Sequence, residues 1–258
     1  MADASSFHID NSVGRKAPKE TDDWSQGYGY QFWRCTHGAF RGDGAFGQFC
    51  IMMPDQDAVV VITGESFNLQ ASIGLVWSDL LPAFKEDSAL AKDSPSNMKL
   101  QQRLKNLSIS APVISNNSPT ASRISAKNFN LEENDFKAKA VKFMFVGSTC
   151  LFSLTDEKGE HLVNCSMGKW MEEKNSKTQL LFPMAGRPEV ISPIAASATW
   201  TDQNTLTMTF RYTATAHSDN IICQFADDKI TIKFLSSVSK GNPDAVEKRA
   251  ELRGRWVN

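Results

Sequence analysis

The strict alternation of polar and apolar residues in the second half of the chain restricts its fold more than any other feature. The run 205–212 (TLTMTFRY) places Thr and Arg on one face and Leu, Met, Phe and Tyr on the other, and 229–234 (KITIKF) alternates in the same way. A period of two residues is typical of a β-strand with one buried face. Short polar turns, such as 156–159 (DEKG) and 202–204 (DQN), separate these runs.

Strands of this kind are predicted throughout the region that begins at residue 126. They are 126–131, 139–146, 149–155, 160–166, 178–182, 195–201, 205–213, 219–226, 229–235 and 249–257. Many short strands joined by tight turns predict an antiparallel β-barrel or sandwich over 126–258. A barrel of about eight strands is more often filled by its own side chains than by a ligand. The sequence shows no convergent polar set for the interior, so a packed core is predicted.

The first part of the chain is organised around the stretch from Gly27 to Phe84. Its predicted elements are an aromatic strand (28–33), a glycine-rich passage (38–47), a second strand (48–53), a PDQD turn (54–57), a third strand (58–63) and a helix (66–84). Residues 1–23 are predicted to be an extended lead-in, and 85–125 a linker that contains a short helix at 97–106. The predicted fold class is α+β and mostly β, with antiparallel strands plus a helix in 24–84 followed by the antiparallel barrel or sandwich.

The run GDGAFGQ (42–48), the hydrophobic strand after it, the PDQD turn and VVVIT (59–63) carry a resemblance to a known family. They look like the C-terminal edge of the β-lactamase and penicillin-binding-protein-like serine hydrolases, with the branch of class C-type β-lactamases and esterases as the most similar. The resemblance covers residues 24–84 and implies hydrolysis of an amide or ester through a serine nucleophile. It also implies an appended lipocalin-like β-domain and an exported, periplasmic or cell-envelope protein.

The resemblance places the family's cleft strand, a Lys/His-Thr/Ser-Gly motif, at Arg41, Gly42, Asp43 and Gly44. A strand backbone without side chains allows a ligand to approach closely, although the usual cation of the motif is missing here. The Ser-x-x-Lys and Tyr-x-Asn motifs of the family do not occur before Arg41. No catalytic residue is therefore predicted, and the chain is expected to be the C-terminal portion of a hydrolase that is inactive alone.

Formal matches to catalytic motifs elsewhere are predicted to be structural. Ser96, Ser166 and Ser237 each precede a lysine by three residues, and 218–220 reads Ser-Asp-Asn. Nucleophilic catalysis needs a serine and its base within hydrogen-bond reach, which one turn of a helix supplies. Ser96 is predicted to be a helix N-cap, and 218–220 a turn between two strands.

Composition argues against several classes of function. The net charge is −1 and the Lys and Arg residues are dispersed, so the sequence lacks the clustered basic residues that nucleic-acid binding requires. No apolar run is long enough to span a membrane, and no secretion signal opens the chain, so the localisation stays open. The five cysteines and four histidines lack metal-ligand spacing, so no metal and no cofactor are predicted. A Cys35–Cys50 disulfide and a proton-carrying His37 remain minor alternatives to buried thiols and an exposed loop histidine.

Three hypotheses of function follow. The first is the hydrolase portion, whose partner is the absent N-terminal half of the catalytic domain or a second copy of itself, because a cut sheet leaves an unpaired edge. An amide or ester substrate is expected only for the completed domain. The second is a stand-alone β-barrel binding or interaction module. The third is a hydrolase with a rearranged site at Ser96 or Ser166.

Overall fold

The computed structural model describes residues 3–84, 93–172, 178–179, 191–241 and 246–256. The chain divides into two compact units, Met1–Asn106 and Leu107–Asn258. Strands dominate the second unit, whereas helices and helical turns hold more residues than strands in the described part of the first. The α-helices are short and span Leu69–Leu75 (α1), Ser94–Lys105 (α2), Pro119–Ile124 (α3) and Ser237–Gly241 (α4).

The first unit contains an antiparallel sheet of four strands in sequential order. They are Trp33–Arg34 (β1), Phe40–Gly44 (β2), Gln48–Met53 (β3) and Ala58–Ile62 (β4). One face of the sheet packs on α1 and on the π-helical turn Val76–Leu80 that continues it. The buried core of this unit consists of Cys35, Ala39, Phe49, Ile51, Met53, Ile73 and Val76. The sheet therefore has a core of its own on that face.

The predicted aromatic strand 28–33 is wrong for most of its length, since only Tyr28 and the start of β1 make ladder contacts. The chain turns between them, because Gln31 has a φ of 63° and the backbone N–H of Gly29 bonds to the carbonyl of Phe32 at 2.8 Å. A left-handed residue cannot continue an extended strand. The glycine-rich passage, in contrast, forms a strand, β2.

The predicted helix 66–84 begins at Leu69 and is broken into three pieces. Asn68 is the N-cap of α1, because its side chain accepts a hydrogen bond from the backbone N–H of Ala71 at 3.0 Å. After α1 and the π-helical turn, a 3₁₀ turn at Leu81–Ala83 ends the element. In the second helix of this unit, α2, the N-cap is Asp93 rather than Ser96.

The second unit is a closed barrel of nine strands. They are Asn128–Leu131 (β5), Ala140–Val146 (β6), Thr149–Thr155 (β7), Glu160–Met167 (β8), Ile194–Asp202 (β12), Thr205–Tyr212 (β13), Ser218–Ala226 (β14), Lys229–Ser236 (β15) and Leu252–Trp256 (β16). Short strands at Met171–Glu172 (β9), Thr178–Gln179 (β10) and Ile191–Ser192 (β11) lie between β8 and β12 in the sequence. Nine strands cannot alternate direction all the way round a ring, and β8 and β12 form the parallel pair. The expected β-barrel is confirmed, with this one departure from antiparallel pairing.

The barrel forms from two consecutive meanders, β5 to β8 and β12 to β16, which meet at β16–β5 and at β8–β12. Inward-facing residues are mostly apolar, as the alternation predicts, and Asp219 on β14 and Ser236 on β15 are buried polar exceptions. Helix α3 covers one end, where Ile124 is fully buried and Arg123 bonds to the carbonyl of Asp227 in the β14–β15 turn.

Candidate functional site

Aromatic rings meet across the barrel interior. Phe143 on β6 and Phe225 on β14 belong to opposite sides of the ring of strands, yet their ring centroids lie 5.4 Å apart. Phe129 on β5 lies 5.7 Å from Phe225, and Phe143 lies 5.3 Å from Phe152. All four rings are buried. At this level the interior is filled by the protein's own side chains.

A buried ionic cluster occupies the end of the barrel opposite α3. Asp219 begins β14, and its two carboxylate oxygens accept hydrogen bonds of 2.6 and 2.8 Å from the guanidinium of Arg249. Arg249 also donates to both oxygens of Glu247, at 2.8 and 2.7 Å, and lies over the Phe234 ring at 4.8 Å. The side chains of Arg249 and Asp219 are only 4% and 5% exposed. This arginine is committed to two internal carboxylates.

The electrostatics of the cluster follow from burial and from the shared arginine. Burial raises the pKa of the Asp219 carboxyl, and the Arg249 guanidinium opposes that rise. Hydrogen bonds from Arg249 lower the pKa of Glu247 to about 2. Burial, aided by the nearby Asp219, raises the pKa of the Tyr212 hydroxyl. The cluster therefore pairs one guanidinium with two carboxyl groups, and its hydrogen bonds hold Glu247 and Arg249 against the start of β14.

Three of the five cysteines lie inside the barrel. Cys150, Cys165 and Cys223 are fully buried, and burial raises the pKa of Cys150 to about 12. In the first unit burial raises the pKa of Cys35 to about 11, whereas Cys50 is exposed. All five are free thiols, so Cys35 and Cys50 are not joined. Buried, protonated thiols are poor nucleophiles.

Arg41, the first residue of the predicted cleft strand, is a fully buried anchor of the first unit. Its guanidinium donates to the carbonyl of Asp23 at 3.0 Å and to Asp43 at 3.1 Å, and it stacks on Trp24 at 4.3 Å from the ring centroid. Such cation–π stacking is favoured when the cation is desolvated. The inward position of Arg41 follows from its register opposite Ile51 in the core.

Asp23 completes this network, and local sequence gave no signal for it within the polar run 1–23. One carboxylate oxygen accepts from the backbone and hydroxyl of Thr36, at 2.8 and 2.9 Å. The other accepts from Gln70 at 2.8 Å and from the indole N–H of Trp77 at 2.9 Å. Four donors satisfy a carboxylate that is fully buried. The network ties the N-terminal segment to the sheet and to α1.

The other members of the predicted cleft strand separate onto different faces. Gly42 lies opposite Cys50 on the face away from the core, with open space where a side chain would project. Asp43 holds Arg41, and Gly44 pairs with Gln48 at the end of the strand. The structure does not bring this segment together with a serine nucleophile, and its role as a cleft strand stays a prediction.

The formal motif matches do not assemble a catalytic set among the described residues. Ser96 lies on α2, all of whose residues are exposed. Ser166 is the penultimate residue of β8, and Gly168 just after the strand has a φ of 67°, so the Ser-x-x-Lys motif does not form a helical turn. The Ser-Asp-Asn run at 218–220 was predicted to be a turn, although the predicted strand 219–226 overlaps it. It forms the start of β14, where Asp219 pairs with Arg249. His37 is exposed, with a φ of 56°.

A groove of 1110 Å³ lies on the first unit, between the segment 11–22 and the start of α1. Its wall is formed on one side by Asn11, Arg15 and Lys16, and on the other by Phe67 and 68–70. Trp24 lines it as well, while its ring stacks on Arg41. Asp23, which precedes Trp24, accepts a hydrogen bond from Gln70 on α1. This contact fixes the two sides of the groove relative to each other.

The groove combines apolar and cationic surface. Val13, Phe67 and Leu69 supply apolar contact, and the side chains of Arg15 and Lys16 supply two positive charges. The one carboxylate in the lining, Asp22, is 6% exposed. It accepts a bond from the backbone N–H of Trp24 at 3.0 Å, and Arg15 approaches it at 3.8 Å. The Nδ2 atom of Asn11 is buried with no hydrogen-bond partner among the described residues.

The described part of the chain contains neither a candidate metal site nor a helix that could span a membrane. No group of three or more His, Cys, Asp or Glu side chains there is placed to hold a metal ion. Every helix in those ranges is too short or too polar to cross a bilayer.

No family model and no curated protein matches the chain. Solved structures similar to part of it include the fatty-acid-binding protein isolated from Manduca sexta L, with 12% identity, a TM-score of 0.35, and coverage of 51% of this chain and 98% of that one. The Schistosoma mansoni fatty acid binding protein in complex with arachidonic acid shows 11% identity, a TM-score of 0.38, and coverage of 54% and 98%. The fatty-acid-binding protein in brain tissue of Drosophila melanogaster shows 12% identity, a TM-score of 0.35, and coverage of 52% of this chain and 99% of that one.

These findings contradict the expected serine-hydrolase family. The structures found similar are fatty-acid-binding proteins rather than β-lactamase-like enzymes, and no family model supports a hydrolase. The expectations that the chain is a serine hydrolase and resembles β-lactamases or penicillin-binding proteins are therefore wrong. The expected partner, an absent N-terminal half of a catalytic domain, has no support either. The alternative hypothesis, a stand-alone β-barrel binding or interaction module, is compatible with the closed barrel of the second unit.

Proposed function

We propose that the chain is a binding module and that the groove on its first unit holds a small organic anion with an apolar or aromatic body. The carrying observation is the groove itself, which places aromatic, apolar and cationic side chains around one concave space. Known ligand pockets of about 300–1,000 Å³ are mostly apolar with a few polar groups that fix orientation. The groove, at 1110 Å³, is of about that size, and its lining is divided between apolar and polar residues.

The charge of the groove supports an anionic ligand. Arg15 and Lys16 line it together with a single carboxylate, Asp22, so the lining carries a net charge of +1. The Arg15 side chain is 40% exposed, so a ligand can reach it from solvent. Guanidinium groups bind carboxylates through paired hydrogen bonds, and the free amide N–H₂ of Asn11 supplies a further donor.

The aromatic part of the ligand is assigned to Trp24 and Phe67. Large rings supply much of the contact area in binding sites, and one face of Trp24 is already held in place by Arg41. Because the ring is held before a ligand arrives, little side-chain freedom is lost on binding. The barrel interior supports the proposal less well, since it is filled at the level of Phe143 and its buried Arg249 is paired.

Titration with 2-naphthoate, followed through the ¹⁵N–¹H signals of the tryptophan indoles, tests the proposal. We expect the Trp24 signal to shift and the uncharged 2-naphthalenemethanol to bind more weakly. The double variant Arg15→Gln/Lys16→Gln should lose about threefold to tenfold in affinity, because two partly exposed charge contacts of about 0.5 kcal/mol or more disappear. Added salt should weaken binding of the anion.

Lys19→Gln is the matched control, because Lys19 lies in the same segment but outside the groove lining. It should bind 2-naphthoate as the unaltered chain does. Equal affinities for the double variant and the control, or shifts confined to barrel tryptophans such as Trp200, would contradict the assignment to the groove.

A further inference from the structure

The two edges of the four-stranded sheet differ in how they are covered. At the β1 edge, Tyr28 bridges to Trp33 and Ile9 bridges to Tyr28, so the N-terminal segment covers that side. Strand β4, at the other edge, pairs with β3 on its inner side, and no further strand pairs with it in the described part of the chain. An edge strand presents unpaired backbone N–H and C=O groups that can pair with another strand.

The side chains at the β4 edge are apolar and exposed. Val59 and Val61 are 62% and 66% exposed, and both lie on the face away from α1. Their neighbours in register on β3 are Met52 and Cys50, which continue the apolar surface inward. Natural edge strands usually carry a charge, a proline or a bulge that prevents pairing, and Ala58–Ile62 has none of these.

The strand is complementary to itself. Antiparallel pairing of two copies about a two-fold axis at Val60 sets Val59 opposite Val61, and Ala58 opposite Ile62. The flanking Asp57 then faces Thr63 of the other copy, so no like charges are opposed. Such pairing of identical patches is the commonest symmetry of protein dimers.

We propose that β4 pairs with the β4 of a second copy of this chain, which joins two four-stranded sheets into one of eight strands. The inference does not depend on the groove or its ligand. The interface is small, because one pair of five-residue strands and their side chains buries less than the roughly 1,600 Å² of a standard stable interface. The dimer is therefore weak and depends on protein concentration.

Sedimentation velocity tests this with the full chain from about 5 to about 500 μM, a range that spans weak dimer affinities. The sedimentation coefficient should rise with concentration, and Val61→Lys should weaken association about tenfold, because each interface then gains two cations at an apolar strand pair. Val146→Lys is the matched control, since Val146 lies on β6 in the other unit and is 67% exposed, close to the 66% of Val61. It should associate as the unaltered chain does.

The register is tested by disulfide trapping in a Cys50→Ser background, which removes the exposed thiol. Chains with Val59→Cys, mixed with chains with Val61→Cys, should form a mixed disulfide dimer faster than either variant alone. A monomer throughout the concentration range would overturn the proposal. So would a dimer that is insensitive to Val61→Lys, or one that shows no preference for the mixed disulfide.

Discussion

Replacing Arg249 by methionine is expected to destabilise the barrel more than any other single removal of a charge. Methionine keeps most of the length of the side chain, and so its packing on Phe234, but it removes four charge-assisted hydrogen bonds of 2.6–2.8 Å. The carboxylate of Asp219, whose side chain is 5% exposed, is then buried without a partner. Breaking a buried ion pair from one side costs about 3–5 kcal/mol.

The pH dependence of the variant follows from the same contacts. With Arg249 gone, nothing opposes the rise that burial imposes on the pKa of Asp219. A carboxyl whose folded pKa is raised stabilises the folded state when it takes up a proton. The deficit of Arg249→Met should therefore be largest near neutral pH and shrink on acidification.

Hydrogen exchange in urea, read by mass spectrometry on peptides from 205–236, measures the stability of the barrel separately from that of the first unit. Arg253→Met is the control, because that arginine is exposed and pairs with Glu251 on the barrel surface, and it should change little. Adding Asp219→Asn to Arg249→Met should restore part of the loss, since the amide carries no charge. A loss below about 1 kcal/mol at neutral pH, or no recovery on acidification, would refute the reasoning.

Two further predictions concern the same unit. Phe225→Ala should lower the free energy of unfolding of the barrel by about 3–5 kcal/mol in the same assay, because the ring contacts Phe129 and Phe143 across the interior. A loss as small as that of a surface substitution would contradict a filled core. Glu247 has a folded pKa of about 2 against an ordinary 4.5, so its contribution should be complete above pH 4.5 and disappear as the pH falls towards 2. Urea unfolding midpoints across this range should show that loss, and Glu247→Gln should abolish it.

The strands of the barrel could be predicted from the sequence where one face is buried and turns mark both ends. The predicted strand 149–155 coincides with β7, which lies between the left-handed Gly147 and the turn at Asp156. Alternation succeeds in such strands because every second side chain is buried by the same core. It failed at 28–33, where aromatic residues alternate but Gln31 turns the chain.

Contacts between residues far apart in the sequence explain what could not be predicted. Asp219 lies where the predicted turn 218–220 and the predicted strand 219–226 overlap, and the partner that buries it, Arg249, lies thirty residues later. Asp23 looked like part of a polar lead-in, although donors at Thr36, Gln70 and Trp77 bury it. The groove that these contacts build could not be read from any local motif.

The junction between β8 and β12 has a consequence for how the barrel could be divided. Each meander is a continuous set of hairpins, and the parallel junction aligns only two residue pairs, Ser166 with Ser197 and Met167 with Ala198. A chain cut between β9 and β10 would keep the strand pairs within each meander and the β10–β11 pair intact, and would lose only the covalent link between the meanders. The barrel is thus a natural candidate for a split-protein reporter, in which two separately expressed pieces reassemble along β16–β5 and β8–β12.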